Sequence, residues 1–314
     1  MSNITNTKKQ NKTSNRLKDK LSKYAILYIM LIPFLAYYIL FVYKPMTGLA
    51  IAFQNYSPYL GIKGSPWVGL KHFKAFLTNP YFGRTLKNTV VLNLYQLLFA
   101  FPAPIIFALL INEVRQLKLK KTIQTLTYMP YFISTVVVAG IVINLLSPSH
   151  GVITMIVEKF TGERIYFLTQ PKYFRTIFTT MTIWKNIGYN SVVYLAALAS
   201  VDMQLYEAAV VDGANKFKQI WHITIPGIMP TIIIMLILKI GAILSSATDT
   251  ILLLYQEATY EVADTIGTYV YRLGIEQHNY SFAAAVGLFN SIIALIMVWI
   301  SNTISKKVTE VGLW

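Results

Sequence analysis

The sequence predicts an all-α integral membrane protein, with six transmembrane helices and both termini on the cytoplasmic side. Three observations carry that expectation. Of 314 residues, 55 % are hydrophobic and 13 % are charged, against roughly 25 % charged in soluble domains. Six apolar runs occur, each close to the ~20 residues a helix needs to cross the hydrocarbon. Lys and Arg gather in alternate loops between those runs, as expected when positive loops stay in the cytoplasm.

In chain order, residues 1–24 form a basic tail, with Lys8, Lys9, Lys12, Arg16, Lys18, Lys20 and Lys23 offset only by Asp19. No cleavable signal peptide is expected, because this long basic segment precedes the first apolar run and Tyr43-Lys44-Pro45 is a poor cleavage site. A single membrane domain, residues 25–314, follows, with spans at roughly 25–43, 88–111, 125–146, 176–198, 228–248 and 283–304. The inner loops then hold Arg115, Lys118, Lys120 and Lys121, then Lys216 and Lys218, then Lys306 and Lys307. The outer loop 249–282 has Arg272 alone against five acids. Outer loop 44–87 breaks the trend with six basic residues, Arg84 among them. Phe73, Phe76, Leu77 and Phe82 in that loop suggest an amphipathic helix, either packed on the bundle or offered to an external protein. Residues 147–175 read as a compact cap, and the segments 259–264 and 269–272 re-enter or lie across a cavity mouth. Pro102, Pro104 and Pro130 each remove a backbone hydrogen bond and bend spans two and three.

Several function classes fall away. The net charge of +15 invites a nucleic-acid reading, but the basic residues cluster beside apolar spans. Cysteine is absent and the four histidines are far apart, so no metal site is expected. Neither a phosphate-binding Gly-x-x-x-x-Gly-Lys-Ser/Thr loop nor a hydrolase signature occurs, so the chain is not expected to be an enzyme or to bind ATP that way. Any energy source for active transport lies in another subunit.

The fourth run is the richest in polar and aromatic groups: Trp184, Lys185, Asn186, Gly188, Tyr189, Asn190 and Tyr194. At helical spacing Lys185 and Tyr189 share one face, and Asn186 and Asn190 the adjacent one. Aromatic rings pack on the C–H faces of sugars, and amides supply donor and acceptor together for hydroxyls. Trp184, Lys185, Asn186, Tyr189, Asn190 and Lys239 are therefore candidate substrate contacts. The alternative stays open that the aromatic rings are interfacial anchors and the amides interhelical glue. A mid-span lysine costs about 2.5–3.5 kcal/mol on insertion scales, so Lys185 and Lys239 should face a cavity or a partner. Asn93, Tyr95, Gln96, Tyr131, Asn144, Ser245, Ser246 and Asn290 are weaker candidates.

The loop 199–227 is organised rather than slack. Asp202 can cap a short helix with Leu205, Tyr206, Ala208 and Ala209 on one face. Asp212-Gly213 is a helix stop, and Asn215 can cap a second helix with Phe217, Ile220, Trp221 and Thr224 on one side. Pro226 opens the next apolar run, near a first-turn position.

Glu207-Ala208-Ala209, three residues, Gly213, nine residues, Ile223, one residue and Ile225-Pro226 resembles the EAA loop of ABC-importer permeases, whose form has Leu at the place of Ile225. The stretches Leu253–Tyr255, Tyr260–Ile266, Tyr269–Arg272, Tyr280–Phe289 and Glu310–Trp314 are similar to the polysaccharide and oligosaccharide branch of the maltose-transporter-like class. The resemblance implies a type I importer permease fold in a bacterial plasma membrane. It implies that Glu207, Ala208, Ala209, Asp212, Gly213, Ile223 and Pro226 belong to a coupling helix docked on a cytoplasmic ATPase. It further implies a second homologous permease, two ATPase copies that bind ATP and Mg, and an extracytoplasmic sugar-binding protein, a lipoprotein if the cell is Gram-positive. The cargo would be an oligo- or polysaccharide. Rival readings are a permease for another solute, such as amino acids, and an ion-coupled secondary transporter, which has no account of the 207–226 pattern.

Overall fold

A computed structural model describes residues 24–243 and 247–314. The basic segment 1–23, together with Ser245 and Ser246, lies outside the described residues. The chain falls into two compact units that divide at Gly69–Leu70. Among the described residues the only sheet-like pairing is an isolated bridge between Gln54 and Trp67.

The first unit holds α1, Ala25–Phe53. Large side chains are exposed all around it from Ile26 to Tyr43, the composition of a helix whose solvent is lipid. The helix runs ten residues past the sequence-expected end at Tyr43, to Phe53. A π turn at Tyr38–Tyr43 precedes Pro45 and lets the Lys44 N–H reach the Ile39 carbonyl.

The second unit is a bundle. Its elements are α2 (Lys71–Leu77), α3 (Phe82–Asn112), α4 (Leu117–Phe132), α5 (Thr135–Leu145), α6 (Val152–Thr161), α7 (Pro171–Ala199), α8 (Met203–Val211), α9 (Lys216–Gly241), α10 (Thr248–Leu254), α11 (Ile266–Tyr271) and α12 (Tyr280–Thr309). α7 is the central post, packing on α3, α4 and α9, while α9 packs on α12. The loop helix α2 buries Phe76 against Ile266, Tyr269, Phe282 and Val286, so it packs onto the bundle.

Among the described residues four helices are long and apolar enough to cross a membrane: α1, α3, α9 and α12. The pair α4–α5 passes as a fifth but bends by 100° at its break. The bend expected at Pro130 in the span read over 125–146 is thus a full break. Ile133 turns extended and Ser134 accepts the Val137 N–H to start a new helix, three residues past Pro130. α7 has the length, 29 residues, but is not among the apolar candidates. Its stripe of polar side chains is the reason. The span expected at 228–248 ends at Gly241 and is continuous with the second loop helix, from Lys216 onward.

Candidate functional site

The loop between α7 and the apolar part of α9 is held by local bonds that its residue types supply. Asp202 accepts the Gln204 N–H at 2.9 Å and caps α8. At the other end Gly213 takes φ +73°, a region that costs side-chain-bearing residues strain. The Ala214 N–H then returns to the Ala209 carbonyl at 2.8 Å and the Gly213 N–H to Val210 at 3.0 Å, the paired bonds of a Schellman stop. Asn215 accepts the Lys218 N–H at 2.9 Å and starts α9. Buried Gln219 donates back to the Ala214 carbonyl at 3.0 Å.

One long-range bond and one within α9 complete the hairpin. Tyr206 Oη donates to Thr224 Oγ1 at 2.9 Å, and Thr224 donates to the Gln219 carbonyl at 3.3 Å. The second helix does not stop before Pro226 as the sequence reading had it. A π turn at Ile220–Thr224 moves the Ile225 N–H onto the Ile220 carbonyl and carries the helix through Pro226 without a break.

α8 leaves Glu207 and Ala208 exposed and buries Ala209. Val211 is 87 % and Phe217 83 % exposed, and Met203, Leu205 and Trp221 are exposed as well. Asp212 and Pro226 are exposed, while Ile223 is half-buried. Beside α8 lies a cleft of about 680 Å³ whose lining includes Glu113, Arg115, Tyr206, Glu207 and Lys216. Lys216 Nζ meets Glu113 at 3.2 Å across it. The arrangement is a braced hairpin with an exposed apolar face and a polar cleft behind it.

A second feature is a cavity of about 440 Å³ between α3, α7 and α9. Its polar lining is Gln96, Thr182, Asn186, Asn190, Tyr194 and Lys239. Three of the six sequence-predicted contacts, Asn186, Asn190 and Lys239, thus meet in one place. Lys185 lines a smaller neighbouring cavity of about 180 Å³ with Thr135, Asn186 and Asp249, and donates to Thr135 Oγ1 at 2.6 Å. Trp184 and Tyr189 stand apart from the larger cavity. Trp184 borders an apolar groove with Ile141, Leu145, Ile153 and Ile177. Tyr189 stacks on Tyr131, with centroids 3.8 Å apart and planes at 6°. That stack follows from Gly188, where a Cβ would overlap the Thr127 carbonyl; only glycine lets α7 approach α4 this closely.

Gln96 enters the cavity from a π turn, Gln96–Ala100, in which the Phe101 N–H reaches back to the Gln96 carbonyl at 2.8 Å. Such turns recur at functional sites because they re-aim a side chain. Of the weaker candidates, Asn93 donates to the Thr89 carbonyl and Asn144 to that of Gly140.

The segment Tyr260–Ala263 and α11 are pinned to α3 by a joint that sequence reasoning did not find. Asp264, fully buried, pairs with Arg272 at 2.8 Å and Arg84 at 3.1 Å. Thr268 donates to its other oxygen at 2.9 Å. Asn88 donates to the Glu261 and Asp264 carbonyls at 2.9 and 3.1 Å, and Thr89 accepts the Ile266 N–H. The Arg272 guanidinium lies 4.9 Å from the Tyr260 ring centre. Burial works against its charge, yet Asp264 more than offsets this and holds its pKa above the ordinary value. Burial, then the hydrogen bond with Tyr260, pushes Tyr255 up to about 12, so it remains a neutral phenol. The one signal available in sequence was the excess of basic residues in loop 44–87, of which Arg84 is now accounted for.

Among the described residues no group of three metal-ligating side chains converges. The family model for the "binding-protein-dependent transport system inner membrane component" matches residues 100–310. Protein LplB of Bacillus subtilis is 46 % identical over 288 residues, 92 % of this chain and 91 % of that protein. The polygalacturonan/rhamnogalacturonan transport system permease YteP of the same organism is 45 % identical over 299 residues, 95 % and 93 % of the two chains. A chain in the crystal structure of a bacterial alginate ABC transporter in complex with alginate pentasaccharide-bound periplasmic protein superposes with a TM-score of 0.87. It is 43 % identical and covers 95 % of this chain and 100 % of its own.

Proposed function

Because this chain belongs to the family of binding-protein-dependent transport system inner membrane components, we propose that it passes oligo- or polysaccharides through its own helix bundle into the cell. It is a multi-pass membrane permease and a transport component, not an enzyme. Relatives named for polygalacturonan, rhamnogalacturonan and alginate transport support a glycan cargo.

The proposed topology has six crossings: α1, α3, the bent α4–α5 pair, α7, α9 and α12. Both termini and the 203–224 hairpin then lie in the cytoplasm, where the excess of Lys and Arg also belongs. α7 crosses despite its polar stripe because that stripe faces a cavity instead of lipid.

Two cytoplasmic ATPase copies, which bind ATP and Mg, drive the cycle. The exposed face of α8 and the start of α9, with Glu207 and Gly213 shaping it, docks in a cleft on one of them. A second homologous permease completes the pathway, and an extracytoplasmic sugar-binding protein delivers the cargo. ATP-driven closure of the ATPases moves the braced hairpin as one body, and α7 and α9, which flank it in sequence, carry the movement to the cavity.

The observation that carries the cargo reading is the cavity that sets Gln96, Asn186, Asn190, Tyr194 and Lys239 among apolar side chains between α3, α7 and α9. Amide and hydroxyl groups there match sugar hydroxyls. The test is uptake of labelled oligosaccharide into proteoliposomes holding the purified permease pair and ATPase. Uptake that needs both ATP and the binding protein is expected. Uptake driven by an ion gradient without ATP, or of amino acids in place of glycan, would overturn the reading.

A further inference from the structure

Residues 114–132 carry Arg115, Lys118, Lys120 and Lys121 and no Asp or Glu. Among the described residues none of the four takes part in an ion pair. α4 starts among them and packs one side on α7. Ile123, Thr127 and Tyr128 are half-buried on that side. The opposite side is exposed. Lys118, Lys121, Thr122, Thr125 and Met129 share it at helical spacing, with exposed Leu126 and Phe132 at its flanks. The Thr122 and Thr125 hydroxyls donate to the Lys118 and Lys121 carbonyls of their own helix, at 3.0 and 2.9 Å. From the start of α4 the exposed face therefore runs from two ammonium groups, through two hydroxyls, to three large apolar side chains.

We propose that this face binds a phospholipid with an anionic headgroup in the inner leaflet: Lys118 and Lys121 hold its phosphate, and Leu126, Met129 and Phe132 carry an acyl chain. A phospholipid is ordered as phosphate, ester and hydrocarbon, and the helix presents matching groups in the same order. The spacing agrees. Lys121 and Leu126 lie about 7.5 Å apart along the axis, and one headgroup layer is roughly 5–8 Å deep. A basic cluster beside an apolar helix attracts anionic lipid, whereas a zwitterionic headgroup brings its own cation against the lysines. A neighbouring apolar helix would cover Leu126 and Met129 but leave the ammonium groups unmatched. An acidic protein surface would match them but leave the apolar turns bare. Glu113, two residues before Arg115, meets Lys216 of the hairpin at 3.2 Å. A lipid held here therefore steadies the turn to which the hairpin is tied. The choice of leaflet rests on the topology proposed above; the binding does not.

The test is photo-cross-linking in proteoliposomes holding the complete importer. The probes are phosphatidylglycerol and phosphatidylcholine, each with a diazirine in one acyl chain, and labelled peptides are mapped by mass spectrometry. The phosphatidylglycerol probe is expected to label residues 126–132 about tenfold or more above the phosphatidylcholine probe. Lys118→Gln combined with Lys121→Gln should bring the first down to the level of the second. Lys306→Gln combined with Lys307→Gln, at the far end of α12, should leave it unchanged. Equal labelling by the two probes, no labelling of 126–132 by either, or a loss as large in the α12 variant would overturn the proposal. So would unchanged labelling in the Lys118/Lys121 variant with loss of ATPase co-purification, which would assign the basic end to the ATPase. Labelling of a Lys121→Cys thiol by an impermeant maleimide from outside intact cells would overturn the topology and the leaflet, leaving the lipid preference standing.

Discussion

The Tyr206 hydroxyl donates to Thr224 Oγ1 at 2.9 Å, joining the middle of α8 to the π turn of α9 across eighteen residues of chain. This bond makes the hairpin one body. Force applied to the exposed face of α8 then reaches the apolar length of α9 directly. The Schellman bonds at Gly213 and Ala214 and the Gln219 bond to Ala214 hold the turn itself. Tyr206→Phe removes the donor and leaves the ring in place. The expected cost is about 1 kcal/mol of local stability. ATP hydrolysis should persist in the assembled importer, with less cargo moved per ATP. Paired measurement of uptake and hydrolysis in the same vesicles checks this.

Gly213 holds φ +73° in open space, so a side chain there meets no steric neighbour, only backbone strain. Gly213→Ala is expected to cost about 1–2 kcal/mol in the turn. Gly213→Pro also removes the N–H that caps α8. Both should insert normally yet lower coupled uptake, proline more than alanine. Full uptake by the proline variant with normal ATPase stimulation would contradict the role given to this turn.

The joint at Asp264 predicts a contrast in stability. Removing one partner from a buried ion pair costs about 3–5 kcal/mol, since the other charge is left behind. Asp264→Ala strands both arginines and should lower the thermal midpoint of the purified permease most. Arg272→Ala should cost more than Arg84→Ala, because the Arg272 side chain is 20 % exposed and that of Arg84 is 35 %. Thermal unfolding in detergent reads the order directly.

Gly188 sits where α7 crosses α4 against the Thr127 carbonyl. Gly188→Ala forces the helices apart and should cost about 1–3 kcal/mol through overpacking. The Tyr131–Tyr189 stack should open with it. Near-ultraviolet circular dichroism of the purified chain, compared with wild type, reports both changes in one experiment.

What was legible in the sequence was local. Asp202, Gly213 and Asn215 act on backbone groups within five residues of themselves, so their roles were readable from residue type alone. The apolar runs were readable because lipid demands a continuous stretch. The π turns at 96–100 and 220–224 were not, since they depend on how each helix accommodates a proline further along. Helical spacing placed Asn186 and Asn190 on one face of α7, yet said nothing of Gln96 and Lys239, which reach the same cavity from other helices. Tyr189 had the right chemistry for a sugar, but Gly188 brings Tyr131 against its ring. The Arg84–Asp264 pair joins residues 180 positions apart and leaves no local pattern. Conversely, the bend after Pro130 was expected as a kink and is a 100° break.

On the proposed function, an ATPase drives this permease through the exposed face of the 203–224 hairpin. The chain contains no cysteine, so a single Val211→Cys substitution, at a side chain 87 % exposed, introduces a unique thiol. The direct measurement is disulfide cross-linking of that thiol to a cysteine placed in the docking cleft of the partner ATPase, in the assembled importer. A cross-link that forms, and that stops ATP-driven uptake until it is reduced, is the predicted result. A Val211→Cys thiol that stays freely labelled in the assembled complex, with full uptake after labelling, would contradict it.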